Sequence, residues 1–141
     1  MSGFDVAAAN RMLAERFAPW VQDLGLVAET VEPGRVTMRL PFNERLTRFG
    51  GMVSGQALMA VADTSMVFAI AAKVGQFQDC ATVSQTTSFF RAASGVDLIC
   101  DTRLLKFGRT LCFGEALLFG VDRPGDPVAQ ATMTYALASP R

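Results

Sequence analysis

The sequence predicts an α+β fold in which one long apolar helix is wrapped by a curved antiparallel β-sheet of five to six strands. The first observation is that residues 54–73 are almost continuously apolar, so a helix formed by them must be buried on nearly every side. The second is that strand-like runs flank this segment, two before it and three or four after it. The third is that short connections join these runs, as antiparallel neighbours require.

The first 24 residues form a helical segment that precedes this core. Apolar residues recur at helical spacing over 4–17, and a second short helical or turn segment covers 19–24. Glycine then separates this segment from the strands, and no linker or repeat follows. We therefore predict a single domain over 1–141, with its core over 26–138.

Turn residues set the predicted boundaries of the core elements. Pro33 and Gly34 split the first two strands, and Gly75 ends the central helix as a C-terminal breaker. The predicted strands are 26–32, 35–40, 81–90, 96–106, 110–121 and 128–138, and the predicted central helix is 54–73.

Composition excludes some classes of function. Thirteen basic residues balance thirteen acidic ones, so no strong electrostatic field marks a nucleic-acid partner. Half of the residues are hydrophobic and only 18% are charged, which favours a homo-oligomer. Cys80, Cys100 and Cys112 lack CxxC spacing and lie in apolar runs, and nothing at the N-terminus resembles a signal peptide. We expect buried, unreactive thiols and a cytoplasmic protein.

The apolar segment is nearly long enough to span a bilayer, which is the alternative to a buried helix. Asp63 lies at its centre, where a charge costs about 2.5–3.5 kcal/mol on insertion scales. The flanks also lack a basic cluster. The sequence therefore predicts no membrane partner.

The sequence contains no histidine. This removes Ser-His-Asp and Cys-His arrangements and nearly all catalytic zinc sites. We expect no metal and no cofactor, and any chemistry must use carboxylates, hydroxyls, amides and backbone dipoles.

Asp63 is the only charged side chain between Arg48 and Lys73. Burying an ionised carboxylate on a helix costs free energy, and a functional role would explain why the protein bears that cost. Eight residues earlier, Gly55 lies where the helix begins, with Ser54 as a candidate N-cap, and the N–H groups of a helix start favour developing negative charge. These features indicate catalysis; the alternative is a core carboxylate paired with a group from another element.

Four short motifs follow one another along the chain: VADT at 61–64, TV at 82–83, SFFR at 88–91 and KFGR at 106–109. In order and spacing they resemble the hotdog-fold acyl-CoA thioesterases, in particular the phenylacetate-pathway and 4-hydroxybenzoyl-CoA thioesterase type, over about residues 43–135. Two departures from the family pattern lie at the helix start, where Ser54 and Gln56 replace a histidine and the second of two glycines.

The resemblance implies hydrolysis of an acyl-CoA thioester. A thiolate leaves readily because its conjugate acid has a pKa of about 8.5, so no histidine acid is needed. Asp63 would be the general base or the nucleophile, and the Gly55 N–H would be the oxyanion donor. Gln56 would contact the carbonyl or the water, or alternatively satisfy a loop carbonyl. The expected substrate-binding residues are Asn43, Ser54, Thr64, Arg91, Gly108 and Arg109.

The spacing of Asp63 and Gly55 favours shared active sites. Eight residues of helix separate two groups by about 12 Å along the axis, so one helix cannot easily bring both to one carbonyl. We expect a homodimer or a dimer of dimers in which each site uses two subunits. The alternatives are a non-catalytic acyl-CoA-binding or structural hotdog domain and, less favoured without histidine, a hydratase.

Overall fold

Six antiparallel strands and one 20-residue helix form the core of the protein in the computed structural model, which describes residues 3–138. Residues 1, 2 and 139–141, which the single-domain prediction includes, lie outside the described residues. The helices are α1 (Val6–Arg16), α2 (Pro19–Gln22) and α3 (Gly55–Val74), and a 3-10 turn covers Glu44–Leu46. The strands are β1 (Val27–Glu32), β2 (Arg35–Leu40), β3 (Cys80–Phe89), β4 (Leu98–Phe107), β5 (Leu111–Gly120) and β6 (Ala129–Leu137).

The prediction of an α+β fold with a central helix and an antiparallel sheet is confirmed, with six strands. Strand order in the sheet is β1-β2-β4-β5-β6-β3, and every neighbouring pair is antiparallel. The chain leaves β2, crosses as α3, and enters β3 at the opposite edge beside β6. One side of β3 therefore has no partner strand within residues 3–138.

Local capping defines both ends of α3. The Ser54 hydroxyl oxygen accepts a hydrogen bond from the Ala57 N–H at 3.1 Å, which is the predicted N-cap. At the other end Gly75 adopts the left-handed conformation, with φ at 97°, and its N–H bonds to the Ala71 carbonyl at 2.7 Å. Only glycine takes this conformation without strain, so the helix ends where the sequence predicts.

Helix α3 packs against the inner face of the sheet because most of its surface is apolar. Twelve of its 20 residues are buried. The helix is long and apolar enough to cross a membrane by length and composition, but 67% of its apolar window is buried inside the protein. Sheet packing accounts for the apolar character of α3. Its less buried positions include Met59 and Asp63, on the side of β3.

Candidate active site

Asp63 lies in the middle of α3, half-buried, with its carboxylate turned towards β3 and β6. Its Oδ1 accepts a hydrogen bond from the Thr82 hydroxyl at 2.8 Å and one from the Tyr135 hydroxyl at 2.5 Å. Among residues 3–138, no group donates to Oδ2 and no basic side chain pairs with this carboxylate. Two hydrogen bonds therefore hold Oδ1, and Oδ2 is left open to a ligand or to water.

Strand pairing brings the two hydroxyl donors together. Thr82 and Tyr135 are direct cross-strand partners in the β3–β6 ladder. Tyr135 is 2% exposed, and its hydroxyl also lies 2.7 Å from the backbone carbonyl oxygen of Asp63. Burial, and then the hydrogen bond to Asp63, raise the pKa of the Tyr135 hydroxyl well above its usual value. The phenol is therefore a neutral hydrogen-bond donor at working pH.

The start of α3 offers two backbone donors. The N–H groups of Gly55 and Gln56 bond to no acceptor in the described part of the chain, as expected for the first helical positions. Gly55 lies against the ring of Phe89, and a Cβ added there would come within 3.3 Å of it. A side chain at position 55 would therefore crowd this aromatic ring.

A cavity of about 300 Å³ adjoins this helix start. Trp20 and Leu24 of the N-terminal segment line it together with Leu46, Ser54 and Gln56. The Gln56 side chain is exposed and forms no hydrogen bond with residues 3–138, so the alternative in which it satisfies a loop carbonyl is not observed. Its amide is free to meet a ligand in the cavity.

The two halves of the predicted site lie apart within one chain. Strand β3 runs alongside α3, so Thr82 meets Asp63, the Gln85 amide donates to the Met59 carbonyl at 3.2 Å, and Phe89 meets Gly55. Asp63 and Gly55 are thus near opposite ends of β3. Several apolar side chains are exposed along this edge: Met59 at 40%, Val83 at 58%, Phe89 at 49% and Phe90 at 55%.

Two predicted binding residues have structural partners. The Asn43 side-chain oxygen accepts from the Arg45 N–H at 2.9 Å and so caps the 3-10 turn before α3. The Arg91 guanidinium binds Asp126 in the β5–β6 loop, with the carboxylate at 3.2 Å and the backbone carbonyl at 3.1 Å. Each side chain thus holds a loop in place.

The other predicted binding residues divide by location. Thr64 is 6% exposed and does not hydrogen-bond to Asp63. Gly108 is in the β4–β5 turn, where a Cβ would come within 2.7 Å of the Leu111 carbonyl oxygen, so this turn requires glycine. Arg109, in the same turn, is exposed and has no ion-pair partner among residues 3–138. The structure therefore leaves Arg109 available to a ligand.

The thiols are buried to different degrees and all are reduced. Cys100 and Cys112 are buried and Cys80 is half-buried. Burial raises the pKa of Cys80 to about 12 and the pKa values of Cys100 and Cys112 to about 11. These thiols stay protonated at neutral pH, in agreement with the prediction of unreactive cysteines.

Sequence reasoning gave no role to Thr82 or Tyr135. Thr82 is part of a motif that carries the resemblance, but nothing local shows where its hydroxyl points. Tyr135 is 72 residues from Asp63 along the chain. The one signal in the sequence that points to a role for Tyr135 is that it is the only tyrosine, in a predicted strand.

An apolar central helix that bears one open carboxylate, wrapped by a six-stranded sheet, defines a hotdog-fold protein of the thioesterase type. Residues 38–136 match the family described as acyl-CoA thioesterase N-terminal domain, and the chain belongs to this family. The resemblance drawn from the sequence motifs is confirmed. Thioester hydrolysis is therefore the class of reaction supported for the protein.

Known proteins of this type are similar along most of the chain. A provisionally named thioesterase from Silicibacter sp. TM1040 has 37% identity and a TM-score of 0.85, covering 98% of this chain and 94% of its own. A phenylacetic acid degradation-related protein from Ralstonia eutropha JMP134 has 27% identity and a TM-score of 0.76, covering 92% and 98%. A provisionally named esterase of Halobacterium salinarum is 29% identical, covering 82% of this chain and 80% of the relative.

Proposed function

We propose that the protein hydrolyses an acyl-CoA thioester to a free acid and coenzyme A, in the cytoplasm and without a metal or other cofactor. The observation that carries the proposal is the Asp63 carboxylate, half-buried on an apolar helix, with one oxygen held by two hydroxyls and the other open. A carboxylate that served only the core would have both oxygens satisfied. The family description supports acyl-CoA as the substrate class.

The Asp63 carboxylate can act in either of two balanced ways. As general base it takes a proton from water, the water oxygen bonds to the acyl carbon, and the carbon–sulfur bond breaks to release a thiolate. As nucleophile it bonds to the acyl carbon itself, the thiolate leaves, and water then cleaves the resulting anhydride. Both routes end with the acid and a thiol that takes up a proton.

The Gly55 N–H is the proposed oxyanion donor. Negative charge develops on the carbonyl oxygen as the acyl carbon becomes tetrahedral, and fixed donors at that point lower the barrier. The N–H is unpaired at a helix start, where the helix dipole adds to its effect. Gln56 lies next to it, and we assign its amide to the carbonyl or to the attacking water.

Two copies of the chain complete each site. The free edge of β3 can pair with β3 of a second copy in antiparallel fashion. A twofold axis near the middle of the strand would then set Phe89 of one copy opposite Thr82 of the other, and with them Gly55 beside Asp63. The exposed apolar residues along this edge support such an interface. We therefore propose a homodimer, alone or as half of a tetramer.

The remaining predicted residues are assigned to substrate binding. Arg109 is exposed and without an ion pair, so its guanidinium suits the phosphates of coenzyme A. The cavity beside Gln56 is apolar along Trp20 and Leu24 and suits part of the acyl thioester. Ser54 and Asn43 shape the helix start and the loop before it. Thr64, Arg91 and Gly108 support these surfaces.

The test is a thiol-release assay over short, long and aromatic acyl-CoAs. We expect turnover of at least one, and a fall in kcat of about 10²–10⁴-fold in Asp63→Asn because the base or nucleophile is lost. Asp79→Asn, which alters an exposed acid near the start of β3, is the matched control and should keep parental turnover. Full activity in Asp63→Asn would refute the assignment. Binding of acyl-CoA without turnover of any would favour a non-catalytic binding domain.

A further inference from the structure

The Asp63 carboxylate is held asymmetrically. Both side-chain donors reach Oδ1, and Oδ2 receives no hydrogen bond from residues 3–138. A carboxylate group with no fixed partner can rotate about its last bond and exchange its two oxygens. Here that exchange would break two hydrogen bonds, so the side chain is held in one orientation.

Resting on the proposed function, we propose that Tyr135 is a positioning residue that fixes Oδ1 of Asp63 and thereby makes Oδ2 the oxygen that meets water or the acyl carbon. Catalysis by a carboxylate requires its reacting oxygen to be held close to the target atom, in line with it. A hydroxyl on Oδ1 supplies that restraint without touching the substrate.

Tyr135 is better placed for this task than Thr82. Within one chain β6 is paired on both sides, since Tyr135 faces Cys112 on β5 and Thr82 on β3, whereas β3 is paired on one side and gains its second neighbour only in the proposed dimer. The Tyr135 ring is buried between α3 and the sheet, and Thr82 is exposed. The tyrosine is therefore the rigid donor of the pair.

The same hydroxyl also contacts the backbone of α3. It lies 2.7 Å from the Asp63 carbonyl oxygen, so its single proton is shared between this carbonyl and Oδ1 of the same residue. One atom of β6 thus sets the position of the Asp63 side chain relative to the helix backbone.

Neighbouring titratable groups do not compete for this role. Cys80 lies close enough to Asp63 for their charges to interact, and its other acidic neighbours are Cys112 and Asp79. Burial raises the pKa of Cys80 to about 12, so it remains a neutral thiol across the working range. The Tyr135 hydroxyl stays protonated for the same reason.

The first test is Tyr135→Phe, which keeps the ring and removes the hydroxyl. We expect kcat to fall about tenfold to a hundredfold with KM little changed, since misplacement of a reacting group carries a cost of this size. A tyrosine that only supported the fold would instead lower the thermal stability and change KM together with kcat.

The matched control is Thr132→Val, which removes a hydroxyl from the outer face of β6, away from Asp63, and should leave kcat and KM unchanged. Parental kcat in a folded Tyr135→Phe would overturn the proposal. That outcome, combined with an inactive Asp63→Asn, would leave the thioesterase function standing. Full activity in Asp63→Asn would instead remove the function itself.

A second measurement does not depend on the folding of Tyr135→Phe. The chain has a single tyrosine, so growth on 3-fluorotyrosine alters only this position. The fluorinated phenol is more acidic and donates a stronger hydrogen bond with almost the same shape. Since Oδ1 keeps its donor, we expect kcat to stay close to the parental value, in contrast to the phenylalanine variant. A loss of kcat as large as that of Tyr135→Phe would overturn the proposal.

Discussion

At the scale of single residues, burial separates the acid that can react from the thiols that cannot. Asp63 is half-buried and keeps one oxygen open, whereas the three cysteines have raised pKa values and stay protonated. The sequence placed both groups in apolar segments. Only the contacts of each side chain show which one faces a site.

The buried thiols should make the fold sensitive to alkali. In the unfolded chain a thiol ionises near pH 9, but Cys100 in the fold has a pKa of about 11, so the folded state keeps this proton up to a higher pH. The contribution of this pKa difference to the free energy of unfolding is fully present below pH 9 and is lost as the pH rises from 9 to 11. Each such thiol should lower the free energy of unfolding by about 1.4 kcal/mol per pH unit there.

Urea unfolding between pH 7.5 and 10.5 measures this loss. We expect Cys100→Ala to be less stable than the parent at neutral pH but to lose stability less steeply above pH 9. Val36→Ala, a truncation of another buried residue of the inner sheet face, should lower stability and keep the parental slope. Equal slopes for the parent and Cys100→Ala would contradict the effect of burial.

At the scale of elements, the pairing of α3 with β3 organises the site. The helix start lies by Phe89 and the helix middle by Thr82, so a single strand spans both functional groups. The sequence predicted the helix with its N-cap at Ser54 and its stop at Gly75, because capping is local. It could not predict that β3 lies at the edge, because strand order depends on contacts far apart in sequence.

A proline at position 55 would remove the N–H at the start of α3 and leave the helix intact. Gly55 is the first helical residue, where proline is favoured, and Ser54 before it has the extended conformation that proline requires. We expect Gly55→Pro to lower kcat about 10²–10³-fold relative to Gly55→Ala, the cost of one oxyanion donor.

The alanine variant is the control for this comparison. It adds a Cβ near Phe89 but keeps the N–H, so the steric effect of that Cβ is common to both variants. Thermal melts should show similar stabilities. A Gly55→Pro enzyme as active as Gly55→Ala would show that the oxyanion is bound elsewhere.

At the scale of the whole molecule, one chain supplies one half of each of two active sites in the proposed dimer. Gly55 and Asp63 lie at opposite ends of β3, and the edge between them is apolar and unpaired in residues 3–138. The composition also favours association of two copies, since half of the residues are hydrophobic. A second copy would both cover the edge and complete the chemistry.

Mixing inactive chains tests this arrangement. In a twofold dimer, Asp63→Asn and Gly55→Pro chains allowed to exchange in equal amounts should recover about a quarter of parental activity, because half of the dimers are mixed and each has one intact site. Sites contained within single chains would give no recovery.

The doubly substituted chain mixed with the parent is the control for subunit exchange. Intersubunit sites again leave about a quarter of the activity, from parental dimers alone, whereas sites within one chain would leave about half. Ultracentrifugation of each mixture should show dimers or larger assemblies. A fully active monomer would contradict the intersubunit proposal.

The sequence by itself determined the elements, the fold family and the unusual position of Asp63. Each of these depends on local patterns: an apolar helix with caps, alternating strands with turns, and one charge in an apolar run. The tertiary structure decided the rest, because strand order and register bring distant residues together. It placed Tyr135 on Asp63 from 72 residues away, paired Arg91 with Asp126, and left Oδ2 as the open oxygen of the carboxylate.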